Sequence, residues 1–169
     1  ECNTAYVVRG TMEKYKPAER LVNTPTTSAK LDLELNLERT VKEALVGEDL
    51  FKTLNLNPIY FDFDRFNIRP DAAAELAKVV LYMNEYPSAV ISARSHTDSR
   101  GPDSYNLSLS DKRAQATVAW IISKGINRTR ISGNGFGETQ LVNKCTNGVK
   151  CTEVEHQLNR RSEFIVVSQ

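Results

Sequence analysis

From Pro58 to the end of the chain, two kinds of hydrophobic pattern alternate. Short apolar runs typical of buried strands are separated by longer segments in which apolar residues recur at helical spacing. The predicted strands are residues 59–63, 89–95, 131–135 and 162–167. The resulting order, β-α-β-α-β-α-β, predicts an α/β (α+β) fold with a mixed sheet and helices packed on it. Right-handed crossovers are expected where neighbouring strands run parallel.

Capping signals locate the three helices of this region. The first is predicted to begin at Pro70 and to end before Pro87, because proline is favoured in the first turn of a helix and ends a helix that reaches it. Ser110 is the predicted N-cap of the second helix, with Leu109 and Ala114 as a hydrophobic staple and Gly125 as its C-terminal stop. The third is a short helix that opens with the capping-box residues 152–155.

The first 46 residues have a different pattern. Residues 5–10 are predicted to form a strand, and the perfect apolar-polar alternation of residues 31–37 is typical of a half-buried strand. Two or three strands are too few for an independent core. We therefore expect two parts, a small β segment with a linker at 1–46 and the α/β domain at 47–169.

Composition and charge narrow the possible partners. The chain has 169 residues and a formal net charge of +1, so electrostatics give no reason to expect binding to nucleic acid or to an anionic membrane surface. No apolar run approaches the roughly 20 residues that a membrane-spanning helix needs. The sequence begins at Glu1 without an initiator methionine, and we expect it to be a fragment of a longer protein.

Three cysteines indicate the redox environment. Cys145 and Cys151 flank a polar stretch that contains a glycine, and a loop there would bring the two sulfurs together. A disulfide, and hence an oxidising compartment, is the favoured interpretation, with two free loop thiols as the alternative. A zinc site is disfavoured because His156 would be the only further ligand. Cys2 is left over, and its partner could lie upstream.

A carboxylate and a guanidinium form the candidate site. Asp98 follows the second predicted strand, in the loop where open α/β sheets place their ligands. If Ser110 is the N-cap, Arg113 is the third residue of the helix and its side chain points back over that loop. Asp98 could then hold an ammonium while Arg113 binds a carboxylate, as a site for a zwitterion requires. The alternative is a surface salt bridge without a ligand.

The motifs around this pair resemble those of the OmpA-like C-terminal domain over roughly residues 55–169. The similar segments are His96-Thr97-Asp98-Ser99-Arg100-Gly101, Tyr105-Asn106, Leu109-Ser110, Arg113-Ala114, Gly125-Ile126, Gly135-Phe136-Gly137-Glu138 and Asn159-Arg160-Arg161, together with Tyr60 to Asp64 and Asn67-Ile68. The resemblance implies a domain that binds peptidoglycan without cleaving it, on the periplasmic side of the outer membrane of a Gram-negative bacterium. Its ligand would be the meso-diaminopimelate residue of the stem peptide.

The resemblance also implies roles for individual residues. Asp98 and Arg113 would be the charged anchors, Thr97 and Asn106 would line the pocket, and Phe63 with Asp64 would supply its wall and backbone contacts. Phe63 is as readily interpreted as a core residue, and Asn106 as a loop cap. Arg160 or Arg161 would approach the ligand from the last strand, and alternation along that strand does not choose between them. Residues 6–37 are similar to the last strands of carboxypeptidase-regulatory-like β-sandwich domains, with a simple linker as the alternative.

Other functions are less well supported by the sequence. His96 and Asp98 could act as a base and its orienting group, but no serine stands in a glycine-flanked nucleophile elbow, so we do not expect an enzyme. Asp62 and Asp64 lack the glycine and the distal glutamate of a calcium loop. We therefore expect neither a metal nor a cofactor. A module that binds another envelope protein instead of the wall is the alternative to peptidoglycan binding.

Overall fold

A computed structural model of the protein describes residues 3–27, 29–62 and 65–169. The chain divides into two compact units, Glu1–Lys42 and Glu43–Gln169. The predictions made for Cys2, Phe63 and Asp64 lie outside the described residues. Within the described part, no helix has both the length and the apolar character needed to cross a membrane.

The first unit is built on an antiparallel hairpin. Strand β1 (Ala5–Gly10) pairs with β2 (Ala18–Asn23), with Ala5 opposite Asn23 and Gly10 opposite Ala18. Most residues of both strands are exposed or half-buried, as expected of a two-stranded sheet with one wet face.

The strand predicted at residues 31–37 is wrong. This segment has no ladder partner in the described part of the chain, and Leu31 and Leu33 are 46% and 41% exposed. Two backbone hydrogen bonds lie just beyond the end of this segment. The Lys16 N–H donates to the Glu38 carbonyl, and the Thr40 N–H donates to the Lys14 carbonyl. Alternation specifies which side chains share a face, but it does not supply the neighbouring strand that a ladder requires.

The second unit contains a three-stranded mixed sheet. The central strand β3 (Val90–His96) runs parallel to β4 (Ile131–Gly137) and antiparallel to β5 (Ser162–Ser168). These three strands confirm the corresponding predictions to within two residues. Three apolar residues of these strands are buried in the core: Ile91, Phe164 and Val166 are each no more than 1% exposed.

Four helices accompany this sheet among the residues that the structure describes. They are α1 (Leu50–Thr53), α2 (Pro70–Glu85), α3 (Asp103–Ser123) and α4 (Glu153–Asn159), and a 3₁₀ turn (Arg128–Arg130) leads into β4. As predicted, α2 has proline at its first position and ends before Pro87. The capping box of α4 is also confirmed, with Thr152 and Glu155 each bonding the other's backbone N–H.

Helix α3 begins earlier than predicted, and Ser110 is not its N-cap. The helix starts at Asp103 after Pro102, so Ser110 lies in its middle. The Ser110 hydroxyl donates to the Leu107 carbonyl and accepts the Gly137 N–H at 2.8 Å. The serine therefore ties the helix to β4, an interaction across 27 residues that a local capping rule cannot detect.

Glycines in β4 let α3 lie directly against the strand. A Cβ added to Gly135 would fall 2.1 Å from the backbone nitrogen of Asp111, and one added to Gly133 would fall 2.8 Å from Val118 Cγ2. Because the two glycines are two residues apart, both face the helix. Only glycine permits this separation, which fixes where the side chains of α3 emerge beside the end of β3.

The predicted first strand, residues 59–63, is not a strand over its described residues 59–62. The Arg113 side chain donates to the carbonyl oxygens of Asp62 (3.4 Å) and Arg65 (3.1 Å). A side chain from α3 thus bonds the Asp62 carbonyl, which a ladder would otherwise use. Ile59, at 3% exposed, still packs into the core as its apolar character predicts.

Candidate functional site

A cavity of about 630 Å³ opens at the carboxyl end of β3. Its walls come from residues 59–62, the end of β3 with the following loop, helix α3, and the region from α4 to the start of β5. The volume lies within the range of small-molecule sites. Asp98 and Arg113, the predicted anchors, both line this cavity, as do Thr97 and Asn106.

The loop after β3 is held by contacts from three directions. The Thr97 N–H donates to the Gly137 carbonyl at 2.9 Å, which continues the sheet beyond the last pair of β3. The Asn106 amide donates to the carbonyls of Asp98 and Arg100 and to the Glu138 carboxylate. The Ser99 hydroxyl donates to the Cys145 carbonyl at 2.6 Å. The loop that carries Asp98 is therefore fixed before any ligand arrives.

Asp98 is a buried carboxylate that contacts two arginines. Its side chain is 8% exposed, and Oδ2 accepts hydrogen bonds from Arg100 Nε and Nη2 and from Arg160 Nη1. Among the residues that the structure describes, Oδ1 accepts one hydrogen bond, from the Arg100 backbone N–H at 3.0 Å. Burial on its own would raise the pKa of Asp98, but the hydrogen bonds from Arg100 and Arg160 outweigh it and the pKa falls below its ordinary value.

Glu153 completes a cluster of four charges with Asp98, Arg100 and Arg160. Its Oε2 lies 3.0 Å from Arg100 Nη1, and its Oε1 contacts Arg160 Nη2. These hydrogen bonds from Arg160 and Arg100 lower the pKa of Glu153. Each arginine therefore bridges one buried and one exposed carboxylate, and the formal charge of the cluster is zero.

Arg113 lines the cavity from a different position in the helix than predicted. It is the eleventh residue of α3 rather than the third. Its guanidinium stands 4.9 Å from the centre of the Phe61 ring and donates to the carbonyls of Asp62 and Arg65. A cation over an aromatic face with two carbonyl partners has a defined orientation.

The structure distinguishes between the two arginines that precede the last strand. Both lie before β5, so strand alternation does not apply to them. Arg160 is the C-cap residue of α4 and contacts Asp98. Arg161 donates to Glu163 at 2.8 Å and to the Gln140 carbonyl at 3.0 Å. Arg160 thus belongs to the four-charge cluster, and Arg161 to a neighbouring pair.

His96 is packed beneath the loop. Its ring stacks on Phe136 with centroids 5.3 Å apart, and its Nε2 lies 3.5 Å from Glu163 Oε2. Contact with His96 lowers the pKa of Glu163 to about 2, with a further contribution from Arg161, although burial acts in the opposite direction. Nothing in this arrangement connects His96 to a nucleophile among the described residues.

The sequence did not identify Arg100, Glu153 or Gln157 as cavity residues. Arg100 lies within the segment His96 to Gly101, and the sequence assigns it no role of its own, yet it bonds both carboxylates of the cluster. In the sequence, Glu153 is only one of the capping-box residues 152–155. Arg100 and Glu153 are 53 residues apart, and no local pattern in the sequence links them.

The predicted disulfide is confirmed. Cys145 and Cys151 are bonded, with their Cα atoms 5.9 Å apart. Both sulfurs lie close to Glu155, but sulfurs joined to each other do not provide the thiolates that a metal would need. The disulfide loop instead supports the site, through the Ser99 contact with Cys145 and through α4, which starts two residues after Cys151.

Comparison with known proteins extends these observations. Outer membrane porin F of Pseudomonas fluorescens is 32% identical over 111 residues, or 66% of this chain and 32% of that protein. The peptidoglycan-associated lipoprotein of Mesorhizobium japonicum is 35% identical over 94 residues, or 55% of this chain and 56% of that protein. The chain thus spans about a third to just over half of the length of these two relatives.

A solved structure agrees with the fold. The crystal structure of the peptidoglycan-associated lipoprotein from Burkholderia pseudomallei matches with a TM-score of 0.57 and 26% identity, covering 66% of this chain and 91% of that one. These relatives carry the names of outer-membrane and peptidoglycan-associated proteins. The family model described as OmpA family matches residues 60–153, more than half of the 169 residues, and the chain therefore belongs to the OmpA family.

Proposed function

We propose that the domain at residues 47–169 binds peptidoglycan, through the meso-diaminopimelate residue of the stem peptide. The observation that carries the proposal is that Asp98 and Arg113, from different elements of the fold, line one cavity of about 630 Å³. The free end of diaminopimelate bears an ammonium and a carboxylate, which match these two charges. The peptidoglycan-associated lipoprotein relatives support the same class of ligand by their names.

Asp98 has the capacity to hold the ammonium. Of its two carboxylate oxygens, Oδ2 already accepts three hydrogen bonds, whereas Oδ1 accepts one, from the Arg100 backbone. A carboxylate oxygen offers about two acceptor positions, so Oδ1 retains one beside the Arg100 N–H. An ammonium can therefore bind at Oδ1 without displacing either arginine. The lowered pKa of Asp98 keeps it charged throughout the physiological range.

Arg113 is suited to the ligand carboxylate. Its guanidinium is oriented by the Phe61 ring and by two backbone carbonyls. Orientation before binding reduces the entropy lost when the ligand arrives. A planar guanidinium also matches the geometry of a carboxylate better than an ammonium does.

Thr97 offers a further polar contact. The Thr97 side chain lines the cavity, the residue is 4% exposed, and its Oγ1 meets no hydrogen-bond partner among the described residues. A buried hydroxyl without a partner is costly. A polar ligand atom would remove that cost. Asn106, by contrast, uses its amide to hold the loop, and we propose that it supports Asp98 rather than binding the ligand through its nitrogen.

The proposed contacts predict selectivity between wall types. A lysine-type stem peptide keeps the ammonium but lacks the carboxylate that Arg113 would bind. A hydrogen bond to a charged group contributes about 1.5–3 kcal/mol, so lysine-type fragments should bind about ten- to a hundredfold more weakly.

Calorimetry with wall fragments and sedimentation with purified sacculi test the proposal. We expect meso-diaminopimelate tripeptide to bind and Asp98→Asn or Arg113→Gln to abolish both signals. Asp111→Asn and Arg128→Gln are the matched controls. They remove one negative and one positive charge, respectively, from exposed residues that do not line this cavity. Equal affinity for diaminopimelate and lysine fragments, or wild-type sedimentation by both site variants, would refute the proposal.

The same sedimentation experiment separates wall binding from the interaction-module alternative. A protein that binds only another envelope protein would remain in the supernatant with purified sacculi. We further propose that the chain acts in the cell envelope, on the periplasmic side of the outer membrane, and that residues 1–46 are the end of a β-sandwich with a linker. The confirmed disulfide supports an oxidising compartment.

A further inference from the structure

The Glu153 carboxylate bridges two guanidinium groups at the rim of the cavity. One of its oxygens contacts Arg100 Nη1 at 3.0 Å, and the other contacts Arg160 Nη2. The two arginines are therefore spaced so that a single carboxylate can bind both, with one oxygen on each. Glu153 shows by its own contacts that this pair of arginines is a site for a carboxylate.

The two carboxylates of the four-charge cluster differ strongly in exposure. The side chain of Asp98 is 8% exposed, and that of Glu153 is 65% exposed. Arg100 and Arg160 bond Asp98 in the interior and Glu153 on the solvent side. Ion pairs between exposed side chains contribute little to stability, because water and salt compete for both charges. Glu153 can leave the arginines at low cost, whereas Asp98 cannot.

We propose that Arg100 and Arg160 form a second carboxylate subsite, separate from Arg113, which Glu153 occupies when no ligand is bound. The ligand class is a second carboxylate of the same wall peptide, so this inference rests on the proposed function and deepens it. Binding exchanges Glu153 for the ligand carboxylate. The hydrogen bonds from both arginines to Asp98 stay in place during this exchange.

Charge balance favours an anionic occupant. With Glu153 in place the cluster is neutral, and when Glu153 swings into solvent the remaining three residues carry one positive charge. A ligand carboxylate restores neutrality, but a neutral or cationic group does not. Gln157, whose side-chain oxygen also contacts Arg160, helps to keep that guanidinium in position during the exchange.

The backbone position of Glu153 is fixed even though its side chain is exposed. It is the first residue of α4, directly after the N-cap Thr152 and two residues after Cys151. The capping box and the disulfide therefore hold its Cα beside the cavity. Glu153 competes with ligand carboxylates from a constant position, and removing its charge should strengthen ligand binding.

Acetate is a probe of the subsite that does not depend on diaminopimelate. In the whole chain, acetate would be titrated while the Nε–H resonances of Arg100 and Arg160 are followed by NMR. We expect Glu153→Gln to bind acetate about two- to fivefold more tightly at these resonances than the wild type, and Asp111→Asn to behave as the wild type. Adding Arg100→Gln to Glu153→Gln should remove the gain. An unchanged or lower acetate affinity in Glu153→Gln overturns the inference.

Calorimetry then relates the subsite to the proposed ligand. Glu153→Gln should raise the affinity for meso-diaminopimelate, whose two carboxylates can bind Arg113 and the subsite together. If meso-diaminopimelate binds the wild type but Glu153→Gln gives no gain, the second subsite is refuted and the proposed function stands. If meso-diaminopimelate fails to bind while acetate shows the gain, the proposed function is refuted and the subsite stands.

Discussion

Glu163 provides a quantitative test of the electrostatics beneath the site. Its Oε1 accepts a hydrogen bond from Arg161 Nε at 2.8 Å, and its Oε2 lies 3.5 Å from His96 Nε2. The side chain is 20% exposed, so solvent screens these contacts only partly. Contact with His96, and with Arg161 after it, lowers the pKa of Glu163 from 4.5 to about 2.

The pKa shift converts into stability with a definite sign. The folded chain holds the charged carboxylate more strongly than the unfolded chain does, so the stabilisation is fully present above the unfolded pKa of 4.5. It is lost as the pH falls from about 5 towards the folded pKa. The full shift corresponds to about 3 kcal/mol. Because the His96 contact is as long as 3.5 Å, we expect a smaller value, about 2 kcal/mol.

Urea unfolding of Glu163→Gln between pH 3 and pH 7 measures this contribution. Trp120 is the only tryptophan of the chain and lies in α3, so its fluorescence reports on the second unit. The free energy of unfolding of the variant should be lower than that of the wild type by about 2 kcal/mol at pH 7, and this difference should shrink steadily below pH 5. Glu43→Gln, at an exposed position of the same unit, should show no such trend. A difference that is constant with pH would refute the reasoning.

Three other changes test the scaffold and the anchors. Gly135→Ala places a Cβ 2.1 Å from the Asp111 backbone nitrogen, and we expect a loss of about 3 kcal/mol in urea unfolding; wild-type stability would contradict the close approach of α3 to β4. Replacing Cys145 and Cys151 by serine should cost about 2 kcal/mol by the same assay, and dithiothreitol should reproduce the loss in the wild type but leave the variant unchanged. Arg113→Lys should weaken meso-diaminopimelate binding about tenfold in calorimetry, since the charge remains but the planar contact does not; undiminished affinity would argue against two-pronged recognition.

Local chemistry made much of the fold predictable from the sequence. Pro70 and Pro87 bound α2 because proline lacks an N–H and has a fixed φ, and both effects act within one turn. The capping box at Thr152 and Glu155 is equally local. Ser110 shows the limit, because the same hydroxyl that could cap a helix instead bonds the Gly137 N–H, which is 27 residues away.

The site was predictable as a pair of anchors but not as a network. Asp98 could be placed because a loop after a strand is a local feature, and Arg113 because α3 must follow that loop. The predicted position of Arg113 within the helix was wrong, since α3 starts at Asp103, yet the close packing on β4 still brings this residue to the cavity. The contacts of Arg100 and Arg160 with Glu153 depend on how α4 packs, which the sequence does not encode locally.

The unequal burial of the two carboxylates reconciles a preformed site with an accessible one. A site made only of buried ion pairs would be rigid, but a ligand would have to break strong contacts to enter it. A site made only of exposed pairs would be open, but its arginines would lose side-chain entropy on binding. Here Asp98 keeps Arg100 and Arg160 ordered from below, and the proposed exchange involves only the exposed contacts of Glu153. The side-chain entropy of the two arginines is therefore lost during folding rather than on binding. In the proposed exchange, the ligand carboxylate replaces that of Glu153, which is weakly held.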